Sequence, residues 1–208
     1  MARQRPTRTF ERCLSRIGFA RVGGVDEVGR GCLAGPVVAA VVVLDERRRI
    51  PGLRDSKLLS ASQRERCYDL IRRRATAWAV GEASVEEIDR INIYQASLAA
   101  MRRAVLSLAP LPDALLVDAV RIPDLPMAQR ALVHGDARVS SIAAASIIAK
   151  VTRDRLMLDF HASDDRYGFD RHKGYATAEH LRAVADYGLS SVHRRSFRPP
   201  SLFDASDC

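Results

Sequence analysis

The sequence has few cysteines, and none of them forms a metal-binding or redox pattern. The four are widely separated, at Cys13, Cys32, Cys67 and Cys208. Their spacing excludes a zinc finger or a Cys-x-x-Cys centre and favours a reduced, intracellular protein. The longest apolar run, around "PVVAAVVVL", is far too short to cross a bilayer. The basic N-terminus "MARQRPTRTFERC" lacks the apolar core of a secretory signal, so we expect a cytoplasmic protein without a membrane partner.

The composition is that of a folded, basic protein. The chain has 208 residues, of which 47% are hydrophobic and 28% charged, enough to fill the core of one domain. Its net charge of +8 indicates a polyanionic partner, most commonly nucleic acid. We expect a basic arm over residues 1–17, a core over 18–160, and a helical extension with a tail over 161–208, packed as one domain.

The pattern of apolar residues predicts strands and helices in mixed order. Two Val- and Ala-rich segments, 19–29 and 36–44, predict a hairpin, and "TAWAVGEAS", "ALLVDAV" and "RALVHGD" predict three further strands. Capping signals predict helices after Ser60, Ser84 and Thr177, and from Ser140 or Ser141. Apolar spacing predicts another helix from Tyr94 to Leu108. This order favours a mixed sheet flanked by helices over a pure βαβ series.

Four acidic residues lie within or just after apolar segments. Asp26 and Glu27 interrupt a buried strand, and Asp118 and Asp136 each follow a predicted strand. Taken singly, Asp26 and Glu27 could be a solvated pair, Asp118 a turn residue at a strand end, and Asp136 a helix-capping residue. Taken together, acids at the ends of neighbouring strands would converge and repel one another, and a divalent cation would remove that conflict. Oxygen ligands alone favour Mg²⁺ or Mn²⁺ over zinc.

Strand geometry sets a condition on this site. Successive residues of a strand point to opposite faces, so Asp26 and Glu27 share a site only if the strand bends or ends there. Gly29 and Gly31 would permit this bend. They would also let the backbone approach a ligand, or form a tight hairpin turn, with Arg30 between them.

Two further residues are candidates for substrate contact. Lys57, in "DSK", would be one more surface lysine if it were judged alone. Tyr175 could be a core aromatic residue, but it follows a glycine in a basic loop, which instead suits stacking on a sugar or base.

Several motifs in order resemble bacterial ribonuclease HII, the type 2 ribonuclease H. They are "GVDEVGRGCLAGPVVAA", "DSKLLS", "EIDRINIYQASLAAMRRAV", "VDA", "GDARVSSIAAASIIAKVTRDRLM", "HKGYAT" and "HRRSF", and they extend from about residue 18 to 198. The resemblance implies an α/β fold: a ribonuclease H-like five-stranded mixed sheet flanked by helices, with a helical C-terminal extension.

The resemblance also implies an activity and the residues that perform it. Family members hydrolyse RNA in RNA–DNA hybrids and nick on the 5′ side of ribonucleotides embedded in duplex DNA, leaving 3′-hydroxyl and 5′-phosphate ends. The implied catalytic and metal-binding acids are Asp26, Glu27, Asp118 and Asp136. The implied substrate contacts are Gly29, Arg30, Gly31, Lys57 and Tyr175. Mn²⁺ or Mg²⁺ is the implied cofactor, with two ions when substrate is bound, and the protein is expected to be a monomer.

Three positions depart from the family pattern. Cys32 stands where proline is expected, and Ala119 and Ala176 each replace a glycine. None of them removes a carboxylate, so the departures bear on substrate preference rather than on activity.

Two other functions compete with this interpretation. A hybrid-binding module without catalysis would need the basic surface but not every carboxylate. A Mg²⁺-dependent phosphatase would be expected to carry a D-x-D-x-[TV] motif, which the sequence lacks.

Overall fold

A five-stranded mixed sheet forms the centre of the protein, whose computed structural model describes residues 5–197. The strands are β1 (Val22–Val28), β2 (Val37–Leu44), β3 (Ala75–Ala83), β4 (Ala114–Asp118) and β5 (Ala128–Leu132). Their order across the sheet is β3-β2-β1-β4-β5. The first three form an antiparallel meander, while β4 and β5 run parallel to β1. The predicted hairpin and the mixed sheet are therefore confirmed.

Eight helices surround the sheet within the described residues. They are α1 (Thr9–Arg16), α2 (Ala61–Arg74), α3 (Val85–Ile91), α4 (Ile93–Leu106), α5 (Gly135–Arg138), α6 (Ser140–Ser163), α7 (Phe169–His172) and α8 (Ala178–Tyr187). Short 3₁₀ turns occur at Ser56–Leu58 and Asp165–Tyr167. None of the helices in this described range combines the length and apolarity needed to cross a membrane.

The two faces of the sheet pack against different helices because side chains alternate along each strand. Val25, Leu115 and Val117 lie on the face covered by α3 and α4. On the opposite face, Val38 and Val42 pack against α2 and α6. Both faces are thus buried, which accounts for the continuous apolar run of β2.

Helix α6 lies unusually close to β1, and Gly24 makes this approach possible. A Cβ atom at Gly24 would lie 2.2 Å from the backbone carbon of Ser141. Only glycine avoids that overlap, and alanines along the same part of α6 keep the rest of the contact close. The central helix is therefore fixed over the strand that carries Asp26 and Glu27.

The start of α6 is capped from a distance and not by its own serines. Its N-cap residue is Val139, and no side chain there makes a capping hydrogen bond. Instead the backbone amide of Ser141 donates to Oε1 of Glu11 on α1, at 2.8 Å. The expectation that Ser140 or Ser141 caps this helix was wrong, because a residue 130 positions away accepts the hydrogen bond.

Other local predictions agree with the structure. Ser60 and Gln63 form the reciprocal capping box of α2, and Ser84 and Thr177 cap α3 and α8. Helix α4 covers most of the predicted span, but Tyr94 is 45% exposed and does not join its buried face.

One predicted strand end was wrong. Strand β5 ends at Leu132, and Asp136 lies beyond it in the helical turn α5. A left-handed residue, His134, separates the two elements. Asp136 therefore reaches the strand ends from a helical turn and not from the sheet. The predicted tail "SLFDASDC" lies outside the described residues.

Candidate active site

Asp26 and Asp118 lie side by side on neighbouring strands. The parallel register of β1 and β4 pairs Val25 with Val117, so the next residue on each strand is an aspartate. Backbones of adjacent strands are about 4.8 Å apart, and residues in register point to the same face. The sheet thus brings together two carboxylates that are 92 residues apart in the sequence. Asp26 is buried, at 6% exposure.

Hydroxyl groups line one side of Asp26. Ser146, on the overlying α6, lies close enough to the carboxylate to favour its charged form. Its hydroxyl lies 2.9 Å from that of Ser56. The turn Ser56–Leu58 is thereby fixed beside the site, and it carries Lys57, whose positive charge acts on Asp118.

Glu27 occupies the opposite side of the strand, as alternation requires. Its backbone amide donates to Oδ1 of Asp26 at 2.8 Å, while its own Oε1 accepts from Nη1 of Arg30 at 3.4 Å. Strand β1 ends one residue later, and Gly29 has a φ of 97°. The chain therefore turns immediately after the acidic pair, which was the condition set for the two acids to serve one site.

Burial and mutual repulsion raise the pKa values of three carboxylates. Burial raises the pKa of Asp26 well above its usual value, and the charges of Glu27 and Asp118 add to this. Burial also raises the pKa of Glu27, although Arg30 opposes the shift. The pKa of Asp118 is raised by burial and by Asp136, against a hydrogen bond from Gly135. Concentrated negative charge of this kind favours a cationic ligand.

The loop after β5 supports Asp118. The amide of Gly135 donates to its Oδ1 at 2.7 Å, so the carboxylate is oriented by backbone. Asp136 is buried beside it, with its own Oδ1 accepting from the Ala137 amide at 2.9 Å. His134 also lies close enough for its charge to lower the Asp118 pKa. Neither His134 nor Ser146 was predicted, because only the folded loop and helix bring them to the acids.

The chemistry of these donors fits a hard divalent cation, since carboxylate oxygens are its preferred ligands. Between residues 5 and 197, however, no three His, Cys, Asp or Glu side chains are gathered closely enough to hold a metal. Arg30 and the backbone amides engage the carboxylates in the positions described above. A shared ion would therefore require side-chain rotation, most of all by Glu27.

Two buried arginines hold the loop that follows the acids. Arg153, on α6, donates to the carbonyls of Ala34, Pro36 and Lys173 at 2.8 to 3.0 Å. Arg194 donates to the carbonyls of Gly29, Arg30 and Gly35 at 2.7 to 3.0 Å. Both arginines are at most 1% exposed. Sequence reasoning missed them because arginine is ordinarily a surface residue.

Tyr175 lies beside this loop, 40% exposed. Its backbone forms a bridge with Cys32, and burial raises the pKa of its hydroxyl, helped by the nearby buried Cys32 thiol. The ammonium of Lys150 is 5.7 Å from its ring centroid. The ring therefore lies beside Lys150 and is partly exposed, and the unusual Cys32 touches the predicted stacking residue through the backbone.

The other two departures have different surroundings. Ala119, directly after Asp118, has a φ of 56°, a conformation that favours glycine. Ala176 is exposed and follows Tyr175. Alanine in place of glycine at position 119 thus strains the backbone beside the acids, while the alanine at position 176 is exposed.

Known proteins share both the sequence pattern and this architecture. The sequence model of the family described as ribonuclease HII matches residues 23–199. Ribonuclease HII 1 of Methylibium petroleiphilum is 57% identical over 176 residues, which are 85% of this chain and 89% of the relative. The crystal structure of ribonuclease H2 from Pyrococcus horikoshii superposes with a TM-score of 0.72 at 27% identity, over 86% of this chain and 94% of that one. A Bst-RNase HIII structure in complex with Mn²⁺ shares the fold, with a TM-score of 0.62 at 23% identity over 88% of this chain and 68% of the other.

Proposed function

The chain belongs to the ribonuclease HII family and is a ribonuclease H acting on RNA in RNA–DNA hybrids, and from this premise we propose that Asp26, Glu27, Asp118 and Asp136 form its catalytic centre. The proposed reaction is metal-assisted hydrolysis of a phosphodiester on the 5′ side of a ribonucleotide. It would leave a 3′-hydroxyl and a 5′-phosphate, and it would include nicking at single ribonucleotides in duplex DNA. The observation that carries this proposal is the in-register pair Asp26 and Asp118.

The acidic residues would hold one or two Mg²⁺ or Mn²⁺ ions. Once bound, such ions supply an activated water and stabilise the leaving 3′ oxygen. Asp118, which the Gly135 amide orients, would contribute one ligand oxygen. Glu27 would leave Arg30 to contribute another.

The turn after β1 would recognise the ribose. The carbonyls of Gly29 and Arg30 are engaged by Arg194, so this stretch of backbone is held in one conformation next to the acids. Gly31 is exposed, with open space where a side chain would lie. A ribose can therefore approach the backbone closely, and its 2′-hydroxyl is the group that distinguishes RNA from DNA.

Two further side chains complete the proposed substrate surface. Lys57 is exposed beside Asp118 and would neutralise a phosphate. The open face of Tyr175 would stack on the deoxyribose that follows a ribonucleotide. We propose that the enzyme works as a cytoplasmic monomer on hybrids and on duplex DNA containing ribonucleotides.

Asp118→Asn tests the catalytic assignment. On a duplex with one embedded ribonucleotide, we expect wild-type protein to nick with Mg²⁺ or Mn²⁺ and to stop with EDTA, and the variant to lose at least about a hundredfold in rate. Asp186→Asn, the same charge change at an exposed position on α8, is the matched control. A wild-type rate in Asp118→Asn would refute the assignment. Binding without cleavage by the wild type would favour the non-catalytic module instead.

A further inference from the structure

Three buried histidines lie outside the acidic centre and form a cluster in the C-terminal region. His172, His180 and His193 are each at most 8% exposed. The rings of His172 and His180 stack with centroids 4.3 Å apart, and Nε2 of His180 is 3.0 Å from Nε2 of His193. The proposed catalytic steps use none of them.

The hydrogen bonds determine which nitrogen carries the proton in each ring. Nδ1 of His180 is 2.9 Å from the Tyr175 carbonyl, which can only accept, so His180 is protonated there and its Nε2 accepts. Nδ1 of His193 accepts from the Ser190 amide at 3.0 Å, so its Nε2 carries the proton and donates to His180. The Ser190 amide and the Tyr175 carbonyl, at the two ends of this series of hydrogen bonds, independently require the same direction of donation. A continuous series of donors thus leads from Ser190 through both rings to Tyr175.

His172 supports the same loop separately. Its Nδ1 accepts from the Gly174 amide at 3.2 Å, and its Nε2 donates to the Tyr167 carbonyl at 2.8 Å. The backbone on both sides of Tyr175 is therefore fixed by neutral imidazoles.

The residue after His193 holds the other proposed substrate contact. Arg194 binds the carbonyls of Gly29 and Arg30, whose turn faces the ribose in the proposed function. His193 and Arg194 are adjacent in the sequence. Through their hydrogen bonds they consequently reach the two segments proposed to contact the substrate, Tyr175 and the turn at Gly29–Gly31. Backbone hydrogen bonds join these elements too, since the Leu33 amide donates to the Gly174 carbonyl at 2.8 Å.

We propose that His180, His193 and Arg194 are positioning residues that set the distance between the Gly29–Gly31 turn and Tyr175, and thereby the preference for a ribonucleotide followed by a deoxyribonucleotide. This inference rests on the proposed function, because it assumes that both elements contact the substrate. The histidines act through the Tyr175 carbonyl and touch no reacting atom. Arg194 acts through the turn.

The experiment compares two substrates: a DNA duplex with one embedded ribonucleotide, and a uniform RNA–DNA hybrid, which has no deoxyribose after the cleaved position. We expect His193→Leu to lower the ratio of kcat/KM on the first substrate to that on the second by about tenfold. In a Tyr175→Ala background the same substitution should leave the ratio unchanged, because its route of action is already lost. A ratio unaltered by His193→Leu, or equal losses in both backgrounds, would overturn the proposal.

Conservative variants keep the test decisive if His193→Leu fails to fold. His193→Gln places an amide donor near the position of Nε2 and keeps the link to His180, whereas His193→Asn reaches only the position of Nδ1. The proposal requires the glutamine variant to retain more of the substrate preference, and the reverse order would contradict it.

Arg194 has a charge-matched neighbour. Arg194→Met and Arg195→Met remove the same charge from adjacent positions, but the Arg195 side chain is exposed. Only Arg194→Met should reduce discrimination between a ribonucleotide and a deoxyribonucleotide at the cleaved position, and equal behaviour of the two variants would contradict its assignment.

The same assays separate failure of this inference from failure of the proposed function. If the wild-type protein cleaves neither substrate, the proposed function itself fails. If the wild type cleaves them and every variant keeps its preference, only the positioning role fails.

Discussion

Mild acid should destabilise the protein through its buried histidine pair. Burial lowers the pKa of His180 to about 4, and burial together with its neighbour lowers that of His193 to about 4. The unfolded chain binds these protons near pH 6.5. Because the folded state has the lower pKa, the stability is fully present above pH 6.5 and is lost as the pH falls towards 4.

The magnitude follows from the two pKa values. At pH 5, protonation of the unfolded state costs about 2 kcal/mol of stability for each histidine relative to pH 7.5, and about 4 kcal/mol for both. The charge of Asp164 opposes the lowering of the His193 pKa only partly. The raised pKa values of Asp26, Glu27 and Asp118 act in the opposite sense, but these carboxylates are common to the wild type and the variants compared below.

Urea unfolding at pH 7.5, 6.0 and 5.0 measures this loss. We expect His193→Gln to be less stable than the wild type at pH 7.5 and to lose about 2 kcal/mol less on acidification to pH 5. Leu189→Gln, at an exposed position, introduces the same side chain without removing an imidazole, so as the control it should keep the wild-type dependence. Equal losses between pH 7.5 and 5 in wild type and His193→Gln would refute the reasoning.

Three substitutions test the packing around the acidic centre. Gly24→Ala places a methyl group 2.2 Å from the Ser141 backbone, so it should lower the free energy of unfolding by about 3 kcal/mol or prevent folding. Gly31→Ala is the control, because open space surrounds that position and the methyl group should not clash. Urea unfolding compares the two variants. Ala119→Gly should raise the stability by about 1 kcal/mol in the same assay, since it relieves a left-handed backbone, and a loss would contradict the strain. Glu11→Ala should lower the free energy of unfolding by about 1 kcal/mol. Glu11→Gln should lower it by less, because the amide oxygen still accepts the hydrogen bond from Ser141. Equal losses in the two variants would argue against a capping role.

Local signals in the sequence predicted local structure well. The capping residues Ser60, Ser84 and Thr177 mark helix starts because their partners lie within three residues. The hairpin of β1 and β2 was equally readable, since both strands and the turn are contiguous. The pattern of apolar and acidic residues already favoured a mixed sheet with four converging acids, and the family resemblance added the number of strands and the roles implied for those acids.

Long-range partners could not be predicted in this way. Glu11 caps α6 from another part of the chain, so the serines at its start were misleading. Asp136 approaches the acids from a helical turn because the chain reverses at His134, and no pattern of apolar residues encodes that reversal. Arg194 binds backbone carbonyls, which carry no sequence signature.

The position of Asp26 and Asp118 at the junction of β1 and β4 has a consequence for biosynthesis. The ribosome synthesises the three-stranded meander, which ends at Ala83, before it synthesises β4, which begins at Ala114. A nascent chain can therefore pair its first strands by local contacts while its acidic centre is still half built. A chain that ends before β4 lacks Asp118, so the proposed catalytic centre is incomplete until the second half docks along the open edge of β1.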